Sequence, residues 1–238
     1  MKVRHIMATA ALLACGAGAA LAADQTILGK AFTVKNPATP DRRKVVVVGK
    51  EAGSPNTLVG DPTANGATLT INANGGTPSS QTFVLNQGTS SVAKPFWTAV
   101  GTTGFKYRDP KGDQGPVKLA FIKKAPSGTF AIKAIVAGKL DGGTVIVPPD
   151  PGTDACAVLS INLGDAYNVS FGSDSIIKNV LNKLFKAKKP SLEAVCGVTT
   201  TTTIPTTTST TGPVTTTTST STTTSTTMAG SPSAAFLE

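Results

Sequence analysis

The residue types that carry most enzyme chemistry are scarce in this 238-residue chain. Its one histidine, His5, falls in a segment that reads as a cleaved leader, so the processed chain has none. A Ser-His-Asp triad, a Cys-His pair and a histidine metal site all need an imidazole, and all three are excluded on that ground. Glycoside hydrolysis needs only two carboxyl groups. Yet Glu51 ends a predicted strand, Glu193 sits beside Cys196, and Glu238 is the last residue. The aspartates Asp41, Asp61, Asp109, Asp113, Asp141 and Asp150 stand in turn-forming contexts, where their side chains bond nearby backbone. Two loops, Asp109 to Asp113 and Asp150 to Asp154, offer carboxylates and carbonyls for calcium. Neither has the spacing of a known calcium loop, and Lys111 would repel a cation. The reading is therefore of a protein that is not an enzyme, with no catalytic residue, no cofactor and no metal.

Two groups of residues remain as binding candidates. Lys178, Lys183, Lys186, Lys188 and Lys189 lie within twelve positions, and a strand there presents several on one face. Such a patch suits a polyanion, a polysaccharide above all. Nucleic acid is disfavoured because no aromatic residues interleave to stack on bases. The competing reading is that these lysines keep a strand edge from pairing with another chain. Phe96 and Trp97 are the one adjacent aromatic pair that offers a sugar-stacking platform; the alternative is that Trp97 fills a junction in the core.

The elements that must position these residues are strands. Phe32 and Val34 alternate with Thr33 and Lys35, and similar alternation recurs at Leu69/Ile71, Phe83/Leu85, Val117/Leu119/Phe121, Phe130/Ile132/Ala134/Val136 and Val169/Phe171. Val45 to Val48 is a β-branched run that predicts a strand covered on both faces. Thr57-Leu58-Val59 is a short predicted strand, and Leu140-Asp141-Gly142-Gly143 a hairpin turn from which Thr144 to Val147 returns. Asp174 to Asn182 fits a helix or a strand equally, and a strand is expected from Leu184 to Lys188.

Repeated phrases organise these strands. Phe32 to Pro37 returns as Phe105 to Pro110 and as Phe185 to Pro190, each a phenylalanine, an apolar residue two places on, and a base before a proline turn. Ala67 to Asn72 returns as Ala157 to Asn162. The order of these markers predicts a duplication, with units of about 27–104 and 105–190 inside one domain, 23–198. The expected fold is all-β: a duplicated β-sandwich or irregular barrel of about a dozen strands, with the third phrase completing the second unit's sheet.

The two ends of the chain are of other kinds. Residues 1–22 have the basic start, apolar middle and Ala20-Leu21-Ala22 ending of a signal peptide. The competing reading is a lipoprotein signal with Cys15 lipidated. Removing Lys2 and Arg4 leaves 20 basic against 13 acidic residues, a formal net charge of +7. Cys156 and Cys196 then remain, and two cysteines in an exported chain read as a disulfide. Residues 199–238 are rich in threonine and serine and lack the apolar content to order themselves, so a disordered, O-glycosylatable stalk is expected. No transmembrane segment is expected after the leader.

The runs Ile27 to Lys30, Ser54 to Thr57, Thr77 to Phe83 and Lys94 to Trp97, with a threonine tract after a final cysteine, resemble an uncharacterised group of secreted bacterial proteins. The resemblance implies export from a bacterium and no activity. Taken together these readings describe a secreted or envelope protein, non-enzymatic, with a rigid β body on a flexible stalk. The alternative is a polysaccharide- or polyanion-binding module, and a more distant one a secreted hydrolase.

Overall fold

A computed structural model describes residues 22–76, 79–140 and 148–189. Residues 1–21, where a signal peptide is expected, residues 141–147, where a hairpin turn and its return strand are expected, Cys196 and the threonine-rich tail lie outside the described residues.

The chain is an all-β protein. Among the described residues, twelve strands hydrogen-bond into one curled sheet that forms a half-barrel, and the single α-helix, α1 (Pro62–Asn65), is one turn long. Its strands are β1 (Asp24–Lys35), β2 (Lys44–Glu51), β3 (Ala67–Gly75), β4 (Ser79–Leu85), β5 (Trp97–Ala99) and β6 (Gly104–Arg108), then β7 (Val117–Lys124), β8 (Phe130–Ala137), β9 (Gly152–Ile161), β10 (Ala166–Phe171), β11 (Ile176–Val180) and β12 (Leu184–Lys188). The strand order is β4-β3-β9-β10-β1-β2-β8-β7-β6-β5, with the β11–β12 hairpin attached to β1 through β12.

β1 is the strand on which the sheet turns. Its first half runs parallel to β10, Asp24 opposite Ala166 to Leu28 opposite Ser170. Its second half is antiparallel to β2 on one side and to β12 on the other. The pairing with β2 shifts register between Gly29 and Ala31, a bulge that bends the sheet over itself. The bend requires bare backbone: a Cβ on Gly29 would lie 2.6 Å from the Ser170 carbonyl oxygen, and one on Gly49 2.9 Å from the Val169 side chain. Across the fold the rings of Phe32 and Phe171 meet at 5.6 Å, Phe32 and Phe185 at 6.1 Å, and Phe130 and Tyr167 at 5.4 Å. Fully burying side chains of this size stabilises the fold by about 2–3 kcal/mol each before entropy is counted.

The repeated phrases are alike within their strands and unlike in the sheet. Phe32 and Val34 face the core, as do Phe105 and Tyr107 and again Phe185 and Ala187. The first two phrases each open a hairpin, β1–β2 and β6–β7, and the Ala67 and Ala157 markers open β3–β4 and β9–β10. However, β1 lies in mid-sheet while β6 is next to the end strand β5. The third phrase, β12, pairs with β1 of the first stretch rather than closing a separate second sheet. β3 and β9 pair with each other, Leu69 opposite Leu159, so the two stretches interleave in one sheet.

Three local expectations change. Val45 and Val47 are buried, but Val46 and Val48 are only half-buried, because β2 has the core on one face and the outside on the other. Thr57 to Val59 is not a strand. Its backbone is tied by side chains instead: the Thr57 amide donates to Gln25 Oε1 at 2.7 Å and the Val59 amide to the Tyr167 hydroxyl at 2.9 Å. The ambiguous segment resolves as a 3-10 turn, Ser173–Ser175, followed by β11, so the helical reading falls and the strand at Leu184–Lys188 stands. Ile176 packs against the core, and pairing with β12 supplies the hydrogen bonds that a helix would otherwise have made internally.

Candidate functional site: a basic outer face

The alternation that fills the core also decides what points outward. On the strands β11, β12, β1, β2, β8, β7 and β6 the buried positions face inward, and the register sets the outward ones side by side. One row across the sheet reads Lys178, Lys186, Thr33, Val46, Ile135, Leu119 and Arg108. The next reads Lys188, Ala31, Val48, Lys133, Phe121 and Lys106, ending at Thr98 of β5. Lys35 and Lys44 lie opposite each other on one flank, and Lys50 and Lys123 flank Ala131 on the other. In register with these rows and flanks the face carries one basic residue on β1, two on β2, two on β6, one each on β7, β8 and β11, and two on β12, ten in all, and Lys30 and Lys118 stand exposed at the bulges of β1 and β7. None of the outward positions in these rows and flanks holds an aspartate or glutamate; Asp24, exposed at the start of β1, lies on the half of that strand that pairs with β10. Glu51 falls in the inward phase, opposite Phe130, and its carboxylate accepts from Ser54 Oγ at 2.8 Å. Between the charges the floor is half-buried and apolar: Ala31, Val46, Val48, Leu119 and Ile135, with one aromatic ring, Phe121.

Of the five lysines singled out by spacing, Lys178, Lys186 and Lys188 join this face. Lys183 lies in the β11–β12 turn and Lys189 just beyond β12, both exposed at the margins. Edge protection accounts for little of the pattern. β12, β1, β2, β8 and β7 have partners on both sides, and their bases project from the face rather than along an edge. Sequence spacing missed Lys35, Lys44, Lys50, Lys106, Arg108, Lys123 and Lys133, because they are scattered over five strands with no dense run in the chain. The available signal was a base at the polar phase of strand after strand.

One end of the face deepens into a groove of about 340 Å³ between the turns Pro40–Arg42 and Gly138–Leu140. Arg42, Arg43, Lys44, Arg108, Lys118 and Lys139 line it, over a floor of Leu119, Ile135 and Ala137. The turns close on each other because residue 138 is glycine: a Cβ there would lie 2.6 Å from the Pro40 carbonyl oxygen. The Gly138 amide donates to the Arg43 carbonyl at 2.9 Å.

The aromatic candidates are not on any open surface. Trp97 and Phe96 are 3% and 4% exposed, which removes the sugar-stacking platform. Trp97 meets Tyr107 edge-on at 5.3 Å, Phe96 stacks on Tyr107 at 5.8 Å, and Trp97 Nε1 donates to the Leu85 carbonyl at 3.1 Å. Leu85 ends β4 and Trp97 begins β5, the two ends of the strand order, so the indole joins the margins of the half-barrel. Burial holds the Tyr107 phenol well above its ordinary range, and Asp109 and Asp113 add to the effect.

The acidic loops are likewise absorbed by structure. Asp109 is fully buried; one carboxylate oxygen accepts from the Gly112 and Asp113 amides at 2.8 and 3.0 Å, and the other from Gln114 at 2.8 Å. A carboxylate turned into three amides shapes the loop and does not present itself to calcium. Asp154 takes Asn74 Nδ2 and Thr153 Oγ1. Among the described residues no three His, Cys, Asp or Glu side chains converge as metal ligands. Cys156 is fully buried on β9, with Asn72 Nδ2 3.6 Å from its sulfur; Cys196 is outside the described residues. No helix among the described residues is long and apolar enough to cross a membrane.

The fold and face thus define an all-β protein with a basic surface. Comparison with protein-family models, with curated protein sequences and with solved structures finds no significant match.

Proposed function

We propose that this is an exported, non-enzymatic β protein that holds an anionic polysaccharide on its basic outer face. The observation that carries the reading is the run of ten bases, with no acid among them, across seven adjoining strands. Like charges gathered on one rigid face repel each other and cost stability; a polyanion relieves the repulsion and releases its own counterions on binding. The apolar floor suits the C–H faces of sugar rings. The lack of exposed aromatic pairs disfavours stacked bases. Lysine dominates, and its point charge on a flexible stem suits anions at loose, repeated spacing. The leader and the threonine-rich tail support a secreted or envelope location, with the tail as a stalk and a Cys156–Cys196 disulfide at the end of the body.

Retention on immobilised heparin at two salt concentrations tests this. The protein should bind at low salt and elute as salt rises, and the variant Lys133→Gln/Lys186→Gln/Lys188→Gln should elute earlier, with its salt dependence lowered by about two to three units of log–log slope. Failure of the unaltered protein to bind at low salt, or identical elution of the variant, would remove the proposal.

A further inference from the structure

The groove at the end of the face differs from the rest of it in the kind of base it holds. Beyond the leader the chain has three arginines, Arg42, Arg43 and Arg108, and all three line this one groove. The lysines, by contrast, are spread over the whole body. Arg42 and Arg43 come from the turn before β2, and Arg108 from the end of β6. They arrive together only because β2, β8, β7 and β6 are neighbours in that order.

A guanidinium is a rigid planar fork whose paired N–H groups match two oxygens of one anion, whereas an ammonium is indifferent to the anion's shape. Arg42 and Arg108, with Lys44, Lys118 and Lys139, line a small volume in which Asp41 is the only acid, while Arg43 is already engaged within the protein. One uronate carboxylate, with two oxygens and a single charge, offsets little of this positive charge. A phosphate or sulfate ester brings three terminal oxygens, and a phosphate monoester carries about −1.5 to −2. The floor of Leu119, Ile135 and Ala137 gives the sugar bearing that ester an apolar surface to lie on. The groove's volume is at the lower end of the ~300–1,000 Å³ of small-molecule sites, enough for one substituted ring and not for a chain.

We infer that this groove is a seat for a tetrahedral oxyanion ester, phosphate or sulfate, carried on the polysaccharide that the lysine face holds. The inference rests on the polyanion reading of that face. The face supplies attraction that depends on charge and salt; the groove selects which anion is preferred.

Three dextrans of matched length and charge density, carrying carboxymethyl, sulfate or phosphate groups, test the inference with the backbone held constant. Dissociation constants are measured at one fixed salt concentration for the full processed chain and for Arg42→Lys/Arg43→Lys/Arg108→Lys, which keeps every charge. The unaltered protein should prefer a sulfated or phosphorylated dextran over the carboxymethyl form by about tenfold, and the lysine variant should compress that preference to under about threefold while still binding all three. Whichever ester binds more tightly identifies the natural substituent. Equal affinity for all three dextrans overturns the seat and leaves the face; so does a preference that survives in the variant. Binding to none of them removes the face as well. Because Arg43 is half-buried, the surface variant Arg42→Lys/Arg108→Lys is run alongside with a thermal melt, and it should compress the preference in the same direction.

Discussion

Replacing Trp97 with phenylalanine separates a structural indole from a ligand-binding one. The indole N–H donates to the Leu85 carbonyl at 3.1 Å in a buried setting and joins the first and last strands of the sheet order. Phenylalanine cannot donate, and the lost bond costs about 1 kcal/mol net, rising towards about 3 if the carbonyl is left without a partner. The smaller ring also leaves part of the pocket beside Tyr107 unfilled, worth about 1–2 kcal/mol more. A total of about 3 kcal/mol corresponds, for a body of this size, to a fall of ~6–12 °C in Tm. Since Trp97 is the only tryptophan, its fluorescence reports on this site alone: the native emission should be blue-shifted and move red on unfolding. The assay is a thermal melt followed by circular dichroism, with heparin retention measured on the folded variant. A melt within about 2 °C of the unaltered protein would refute the closure argument. Normal melting with lost polysaccharide binding would return Trp97 to the role of sugar platform.

Gly29→Ala places a Cβ 2.6 Å from the Ser170 carbonyl oxygen and 2.7 Å from the Phe171 ring, where backbone has nowhere to go, so stability should drop by about 2–3 kcal/mol in chemical denaturation. An unchanged denaturation midpoint would show that the bend in β1 has room to relax. The phenol of Tyr167 is pushed up to about 12, chiefly by burial, with the Val59 amide hydrogen bond opposing and Asp165 adding. The unfolded chain gives up that proton near its ordinary value of about 10, so the stabilisation is whole below pH ~10 and is lost as pH rises towards ~12, by roughly 2–3 kcal/mol. Tyr107 acts in the same direction. Tyr167→Phe should therefore lose less stability between neutral pH and pH ~11 than the unaltered protein does, and parallel pH profiles would discount the linkage.

Much of the fold was legible in the order of residues. The alternation of Phe32/Val34, Leu69/Ile71 and Phe130/Ile132 is a local property of a strand with one dry face, and the structure buries those side chains. The helical period across Ile176 to Leu184 misled in part, because a short segment with apolar residues three and four apart also fits a hairpin whose inner positions are few. The valine run misled differently: β-branched residues suit any strand, so they do not reveal that Val46 and Val48 lie on the outside.

The candidate site was legible only in fragments. Lys178, Lys186 and Lys188 stood out because they are close in the chain, while Lys106, Lys123 and Lys133 are no less part of the face and gave no local sign. The aromatic pair at Phe96 and Trp97 was visible, but which way an adjacent pair points is decided by where its strand sits, and β5 turns both into the core.

By itself, the sequence determined the class of secondary structure, the inward and outward phase of each strand, the absence of imidazole beyond His5 and the excess of positive charge. Those depend on side chains within a few residues of each other, or on composition. Tertiary structure alone decided that β1 joins β10 in parallel and β12 in antiparallel, that β3 pairs with β9, and that Arg108 meets Arg42 and Arg43 in one groove. Period-two alternation says which face of a strand is dry but carries no information about its neighbours. Strand order comes from burying all the dry faces together, a choice the whole chain makes at once.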